Sequence, residues 1–352
     1  MANRYRVGTN ANWDDGVSGW STTSGGTAGS ADPTAADDVL FDGNSGTGTV
    51  TIAAIALCRS FNSTGYTGTI AGTSVLRVGD ATVGNITIGS GMTWSHTSSI
   101  ELRSTTGTNT ITSNGVSLSS SIVPFGVGGV WQLAGALTLT HADGLLGGAA
   151  TTFDTNGQTF TTPQMSSGDA GGTLTLGAST VNITGASGWY SSVMTLNANT
   201  STINLTYTGV ATSNITLGAK TFNNMTISAG GAGVINFTGA TNNTFNVFTI
   251  NAPKSVRFAS TRTQTFTSFV ADGSLGNVIT IDASVAASAA TLSDAAGTNA
   301  VTYVSLQDST ATGGASWTVA NGTNVSGNTG WTFLVAGGGS TTTSTAMLVG
   351  VG

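Results

Sequence analysis

Acid–base cleavage of a glycosidic bond needs two carboxyl groups held about 5 to 9.5 Å apart, and this chain has few to offer. Its 15 acidic residues include a single glutamate, Glu101. The carboxylates of the central region are Asp80, Glu101, Asp143, Asp154, Asp169, Asp272 and Asp282. Asp143, Asp154 and Asp169 are the candidates for a pair, and most of the set sits beside Gly or Asn, where Asp serves as a turn residue. A nucleophilic triad needs a histidine base. The two histidines, His96 and His141, have no Gly-x-Ser-x-Gly elbow near them and read as isolated surface or core residues. Two His and one Cys do not make a zinc site. Cys58 ends the apolar run Ile52-Ala-Ala-Ile-Ala-Leu-Cys58 and reads as a small buried hydrophobe. Asp32, Asp37 and Asp38 could present oxygen to Ca²⁺, but they lack EF-hand spacing and read first as turn caps. The glycine pairs and triplets lack the strand–helix setting of a phosphate loop. The expectation is a non-enzymatic protein with no cofactor or metal.

Composition says which elements must carry these residues. Lys and Arg number 9 against the 15 acids, a net charge of −6, and charged residues are 7% of 352, where about 25% is usual. Lys, Glu, Gln and Arg cover exposed helices, and here Gly (51 residues), Thr, Ser and Asn replace them. Strands and tight turns follow. The scattered basic residues offer no face for nucleic acid and no polybasic membrane patch. The longest apolar runs, near seven residues, are far below the ~18 needed to span a bilayer. One cysteine excludes a disulfide framework.

Short segments alternate apolar side chains with Thr or Asn: Thr49-Val-Thr-Ile52, Asn85-Ile-Thr-Ile88, Thr173-Leu-Thr-Leu176, Thr180-Val-Asn-Ile183, Asn214-Ile-Thr-Leu217, Val234-Ile-Asn-Phe237 and Val278-Ile-Thr-Ile281. Period two is the signal of a half-buried strand. Thr221-Phe-Asn-Asn-Met-Thr-Ile227 aligns with Thr244-Phe-Asn-Val-Phe-Thr-Ile250 and Thr265-Phe-Thr-Ser-Phe-Val-Ala271. Ser60-Phe61-Asn62-Ser63 and Thr159-Phe160-Thr161 read as degenerate copies. A period of about 22 residues in an all-β chain indicates a solenoid. The expected fold is therefore all-β, a right-handed parallel β-helix of about 12 coils and ~55–60 Å at ~4.8 Å per coil; a β-sandwich or jelly roll is the alternative. The separations of 11 and 15 residues within Asp143, Asp154 and Asp169 do not match that period, so stacking would not bring them together.

Four regions follow. Residues 1–44 form an N-terminal cap rich in aromatic side chains and Asp, with Tyr5, Trp13, Trp20 and Phe41 covering one end of the core. Residues 45–300 form the solenoid. Residues 301–335 form a C-terminal β cap with Trp317, Trp331 and Phe333. Residues 336–352 are a Gly/Thr linker and an apolar tail, in which Met347, Leu348, Val349 and Val351 are candidate docking residues for a partner.

The motifs at the two ends carry a resemblance. Met1-Ala-Asn-Arg-Tyr-x-Val-Gly, Asn12-Trp13, Trp20-Ser-Thr-Thr-Ser-Gly-Gly26 and Pro33-Thr-x-x-Asp37-Asp38-Val-x-Phe41-Asp42, with Gly327-Asn-Thr-Gly-Trp-Thr-Phe333, resemble a group of tailed-bacteriophage virion proteins described as fibre-like or β-helical. The match spans about 45 residues at the start and about 30 at the end. Arg6 departs from it, standing where the group has an aromatic residue. The resemblance implies a structural role at the surface of a virion, as capsid decoration, head fibre or tail fibre, reinforcing the particle or touching the host surface. It further implies assembly in the host cytoplasm, a homotrimer, and capsid or tail proteins as partners, with a host-surface glycan as a possible ligand. No catalytic residue carries over. A tailspike-type polysaccharide depolymerase and a bacterial surface adhesin are the alternatives.

Overall fold

The computed structural model describes residues 2–8, 11–80, 83–148, 150–166, 171–190 and 193–334. Stacked parallel strands form a β-solenoid of about 13 turns, in two compact units: Met1–Tyr207 with Thr221–Asn223, and Thr208–Lys220 with Asn224–Gly352. Parallel stacking from turn to turn excludes the sandwich. Among the described residues the one helical element is the short 3₁₀ turn Gly16–Ser18, and no helix is long and apolar enough to cross a membrane.

In the first unit three strand faces alternate along each turn. The first face stacks Asn3–Arg6, Asp38–Leu40, Ser60–Asn62, Ile86–Thr87, Thr108–Thr112, Val130–Leu133, Thr152–Asp154, Thr173–Thr175 and Thr195–Asn197. The second has two ladders. One runs Ala11–Asn12, Thr49–Ile52, Thr69–Gly72, Thr93–His96. The other runs Leu137–Thr138, Phe160–Thr162, Thr180–Ile183, Thr202–Leu205. The third stacks Ala56–Cys58, Leu76–Val78, Ser99–Leu102, Ser121–Pro124, Leu145–Leu146, Met165–Ser166 and Trp189–Tyr190. From Asp38 on, stacked partners in this unit lie 20 residues apart (Leu145 and Met165) to 25 (Phe61 and Ile86). That variation is why the period reads only approximately in the sequence. Phe61 lies on the first face and Phe160 on the second, so the two short Phe segments are not copies of one position.

The alternation of residues explains the section through each turn. In Thr49–Ile52, Thr180–Ile183 and Thr202–Leu205 the Thr and Asn side chains are half-buried on the outside, and the Val, Ile and Leu are buried. The corner between first and second faces demands a positive φ. Asn114, Asn156 and Asn199 supply it at φ 48°, 50° and 47°, and Asn tolerates that region better than most residues. Asn114 and Asn156 also donate Nδ2–H to the Ile88 and Leu133 carbonyls of the preceding turn, at 2.8 and 3.1 Å. Each corner is thus tied to the turn before it. Gly72 (φ +126°) allows a still closer approach, since a Cβ there would strike the Ile52 backbone.

The second unit stacks Ser213–Thr216, Ile235–Thr238, Lys254–Phe258, Ile279–Ala283, Val304–Gln307 and Thr323–Ser326 on one side. Opposite run the long strands Asn243–Asn251 and Thr263–Asp272. The next turn divides the length of Thr263–Asp272 between Ala290–Asp294 and Thr298–Thr302. Ser309–Gly313 and Ser316–Ala320 repeat the division, and Thr332–Leu334 pairs with the latter. The repeat seen in the sequence is realised in register, Phe245 on Phe266 and Phe248 on Phe269. Their rings stack at 5.6 and 5.9 Å with interplanar angles of 17° and 4°.

Candidate functional site

The chemistry-bearing residues are best followed from the N-terminal end inward. Trp13 and Trp20 are buried edge to face, 5.2 Å between centroids, and the Trp20 indole N–H donates to the Trp13 carbonyl at 2.9 Å. Phe41 packs on both, and Trp13 stacks over Phe61 at 6.4 Å. Of the expected cap aromatics Trp13, Trp20 and Phe41 are buried, whereas Tyr5 is half-exposed. Arg6 takes a place of its own. Its side chain is 1% exposed; the guanidinium lies 5.4 Å from the Trp20 centroid and donates to the Asn12 carbonyl at 3.1 Å and to Asp15 at 3.0 Å. A flat guanidinium stacks as an aromatic ring would, and Asp15 supplies the countercharge that a buried cation requires. Strands Asn3–Arg6, Ala11–Asn12 and Asp38–Leu40 pair with the faces that follow. Residues 1–44 therefore contribute rungs as well as a cover.

The Asp residues of this end disperse into separate turns. Asp32 accepts the Gly16 N–H at 2.7 Å. Asp37 accepts both the N–H and hydroxyl of Thr34 and lies 3.6 Å from Arg4. Burial pushes the Asp37 carboxyl up, but the Thr34 bonds and the Arg4 charge together hold it below its ordinary value. Asp38 pairs with Arg59. Asp42 caps Asn44 and Ser45. Among the described residues no group of three His, Cys, Asp or Glu converges on a metal position.

The central carboxylates are likewise placed apart. Glu101 accepts from Arg77 at 2.9 Å and Arg103 at 2.6 Å on the third face. Asp154, on the first face, accepts from Gln132 at 3.0 Å and from the Asn156 N–H at 2.7 Å. Asp143 lies in the turn before Leu145, its carboxylate exposed 3.6 Å from His141. Asp143 and Asp154 thus belong to different faces, and Asp169 lies outside the described residues. Asp80 is exposed. Asp282 binds Arg257 through both oxygens at 3.0 and 2.7 Å, and Asp272 accepts from Thr302 at 3.3 Å. Asp294 and Asp308, absent from the sequence-level set, are buried and bind Asn299 and the Ala287 N–H at 2.9 Å each.

His96 is a core residue, one of the two settings expected of it, but its partners were not expected. It is fully buried, Nδ1 2.7 Å from the Ser120 hydroxyl and Nε2 2.6 Å from the Ser74 carbonyl, with the Trp94 indole N–H also donating to Ser120 at 2.9 Å. The carbonyl requires Nε2 to carry the proton. Burial pushes the imidazole below its ordinary pKa, against the Ser74 bond, and His141 adds to the lowering. Ser120 is also 0% exposed, so this Ser–His pair has no access to a substrate and works as a core lock. Ser74, His96 and Ser120 come from successive turns, so no local motif announces them. Cys58 is buried and free, and burial pushes its thiol far up.

At the other end Trp317 is buried against Phe269 at 5.8 Å, and Trp331 lies edge to face on it at 4.9 Å, its indole N–H donating to Ser309 at 3.1 Å. Phe333 stays half-exposed in the last strand, paired with Val319. The strands of 301–334 continue the ladders of the turns before them. Met347, Leu348, Val349 and Val351 lie outside the described residues.

No family model, curated protein or solved structure matches this chain.

Proposed function

We propose that the protein is a non-enzymatic structural component of a tailed-phage virion, a β-helical decoration or fibre at the particle surface that reinforces it or contacts the host. The observation that carries this reading is the charge-poor parallel solenoid with buried aromatic clusters toward both ends of the described chain. Such a fold buries its Val, Ile, Leu and Phe between stacked turns of each unit and leaves Thr, Asn and Ser outside. Most of its described carboxylates are engaged in turns and ion pairs, with Asp143 in the turn before the third face and Asp154 on the first face. The terminal motifs that resemble phage virion proteins support the same reading. Attachment to a symmetric particle would make the protein a homo-oligomer, a trimer in this proposal, bound to capsid or tail proteins after assembly in the host cytoplasm.

The apolar stretch Met347-Leu348-Val349, with Val351, is the proposed docking peptide. Deleting 346–352 should abolish incorporation into particles while leaving circular dichroism and thermal unfolding unchanged. Normal incorporation of the truncated protein would remove the docking role.

A further inference from the structure

The corners of the solenoid bring asparagine and glycine together. The chain holds three Asn-Gly pairs, Asn114-Gly115, Asn156-Gly157 and Asn321-Gly322. Each Asn is exposed and has a positive φ, 48°, 50° and 53°. An Asn followed by glycine can cyclise, because no Cβ shields the glycine nitrogen from the Asn amide carbon. In a folded chain the rate depends on what holds the side chain and on how easily the turn opens. Asn114 and Asn156 are held, since each donates Nδ2–H to a carbonyl of the preceding turn, Ile88 at 2.8 Å and Leu133 at 3.1 Å. Asn199, at φ 47°, makes no side-chain hydrogen bond among the described residues. Thr200 follows it, however, with a β-branched side chain and an N–H that donates to the Gly177 carbonyl at 3.0 Å. Asn321 combines the two permissive features: its side chain makes no hydrogen bond among the described residues, and glycine follows it. The fold itself asks for that pair. Asn tolerates the positive φ at 321, and a Cβ at 322 would strike the Val319 side chain and the Val304 carbonyl. The turn is also weakly supported. It leads from Ser316–Ala320 into Thr323–Ser326, which pairs with Val304–Gln307 alone among the described strands and is exposed at all four residues.

We infer that Asn321-Gly322 is a site of spontaneous deamidation in the folded protein, and that the hydrogen-bonded corners Asn114-Gly115 and Asn156-Gly157 are protected from it. The Gly322 nitrogen gives its proton to a solvent base and bonds to the Asn321 Cγ. The Cγ–Nδ2 bond breaks, and Nδ2 takes a proton from solvent and leaves as ammonia. Water then opens the cyclic imide at one carbonyl or the other, leaving an aspartate or an isoaspartate at this position. Water is the only co-reactant, and nothing is oxidised or reduced. Either product adds one negative charge to a chain whose formal net charge is −6. Isoaspartate also inserts a methylene into the main chain between Ser316–Ala320 and Thr323–Ser326, so the last strand loses its spacing to the rung before it while the earlier turns stay stacked.

The test is peptide mapping by mass spectrometry on the full chain, aged at mildly alkaline pH in native buffer and, in parallel, unfolded in urea, with isoaspartate scored by enzymatic methylation. In native buffer Asn321 should convert at least ~5-fold faster than Asn114 or Asn156, the factor that one net hydrogen bond supplies, and faster than Asn199. In urea the three Asn-Gly pairs should converge on one rate, because the protection belongs to the fold. Asn321→Gly keeps the positive φ and should remove this product with circular dichroism unchanged. Native conversion of Asn114 or Asn156 at the rate of Asn321 overturns the inference. So does an Asn321 that stays intact when folded, or a native ranking that persists undiminished in urea.

Discussion

Arg6 and His96 are the two side chains whose settings depend most on the fold. Arg6 would be an unpaired buried cation without Asp15 and Trp20, and removing one partner of such a set is costly. Arg6→Ala should lower stability by roughly 2–4 kcal/mol, read as a fall in the urea midpoint; Arg6→Phe, which restores an aromatic, should recover part of it. Equal losses for both variants would show that the charge, not the stacking, matters. His96 is buried neutral, so its folded pKa lies below that of the unfolded chain, near ~6.5. As pH falls through ~6.5 the unfolded state takes up a proton that the folded state refuses, and stability drops. The drop ends once pH is below the folded value. Thermal unfolding between pH 7.5 and 5 should show this loss, and His96→Gln should flatten it. Asp37 acts in a separate window: its carboxyl is held low, so its contribution is lost only as pH falls from about 4. An unchanged slope in His96→Gln would place the acid sensitivity elsewhere.

Among the elements, the corners decide the stacking. Asn156 both adopts φ 50° and ties its turn to Leu133. Asn156→Gly keeps the backbone and loses the bond, for a cost near 1 kcal/mol; Asn156→Ala loses both and should cost about 1 kcal/mol more. Chemical denaturation distinguishes the two, and equal effects would mean that the side-chain bond contributes everything. Strands such as Thr49–Ile52, Thr180–Ile183 and Thr202–Leu205 were legible because they alternate Thr or Asn with a branched apolar neighbour at period two, whereas Ala56–Cys58, Leu145–Leu146 and Trp189–Tyr190 lack that pattern. Thr244-Phe245 and Thr265-Phe266 even revealed their stacking, because a large ring recurs at one point of the turn. The Ser74–His96–Ser120 lock was not legible, because its members are 22 and 24 residues apart and meet only when turns stack.

At the scale of the whole molecule, the proposed role is that of a scaffold: a core of stacked Val, Ile, Leu and Phe with uncharged polar ladders outside and ion pairs at Arg4, Arg6, Arg59, Arg77, Arg103 and Arg257. The solenoid was the part of this most open to sequence reading, since composition argues against helices and the ~22-residue period favours coils over a sandwich, an alternative that the parallel stacking from turn to turn then removed. Surface roles were less open, because Thr and Asn ladders are equally good at facing water and at facing a partner. The proposed role builds this chain into a virion. Cryo-electron microscopy of purified native particles tests it most directly. A virion component gives β-helical density at the particle surface into which the stacked strands of each unit fit. Purified particles that lack the chain, with the protein recovered only from the remaining lysate, would contradict it.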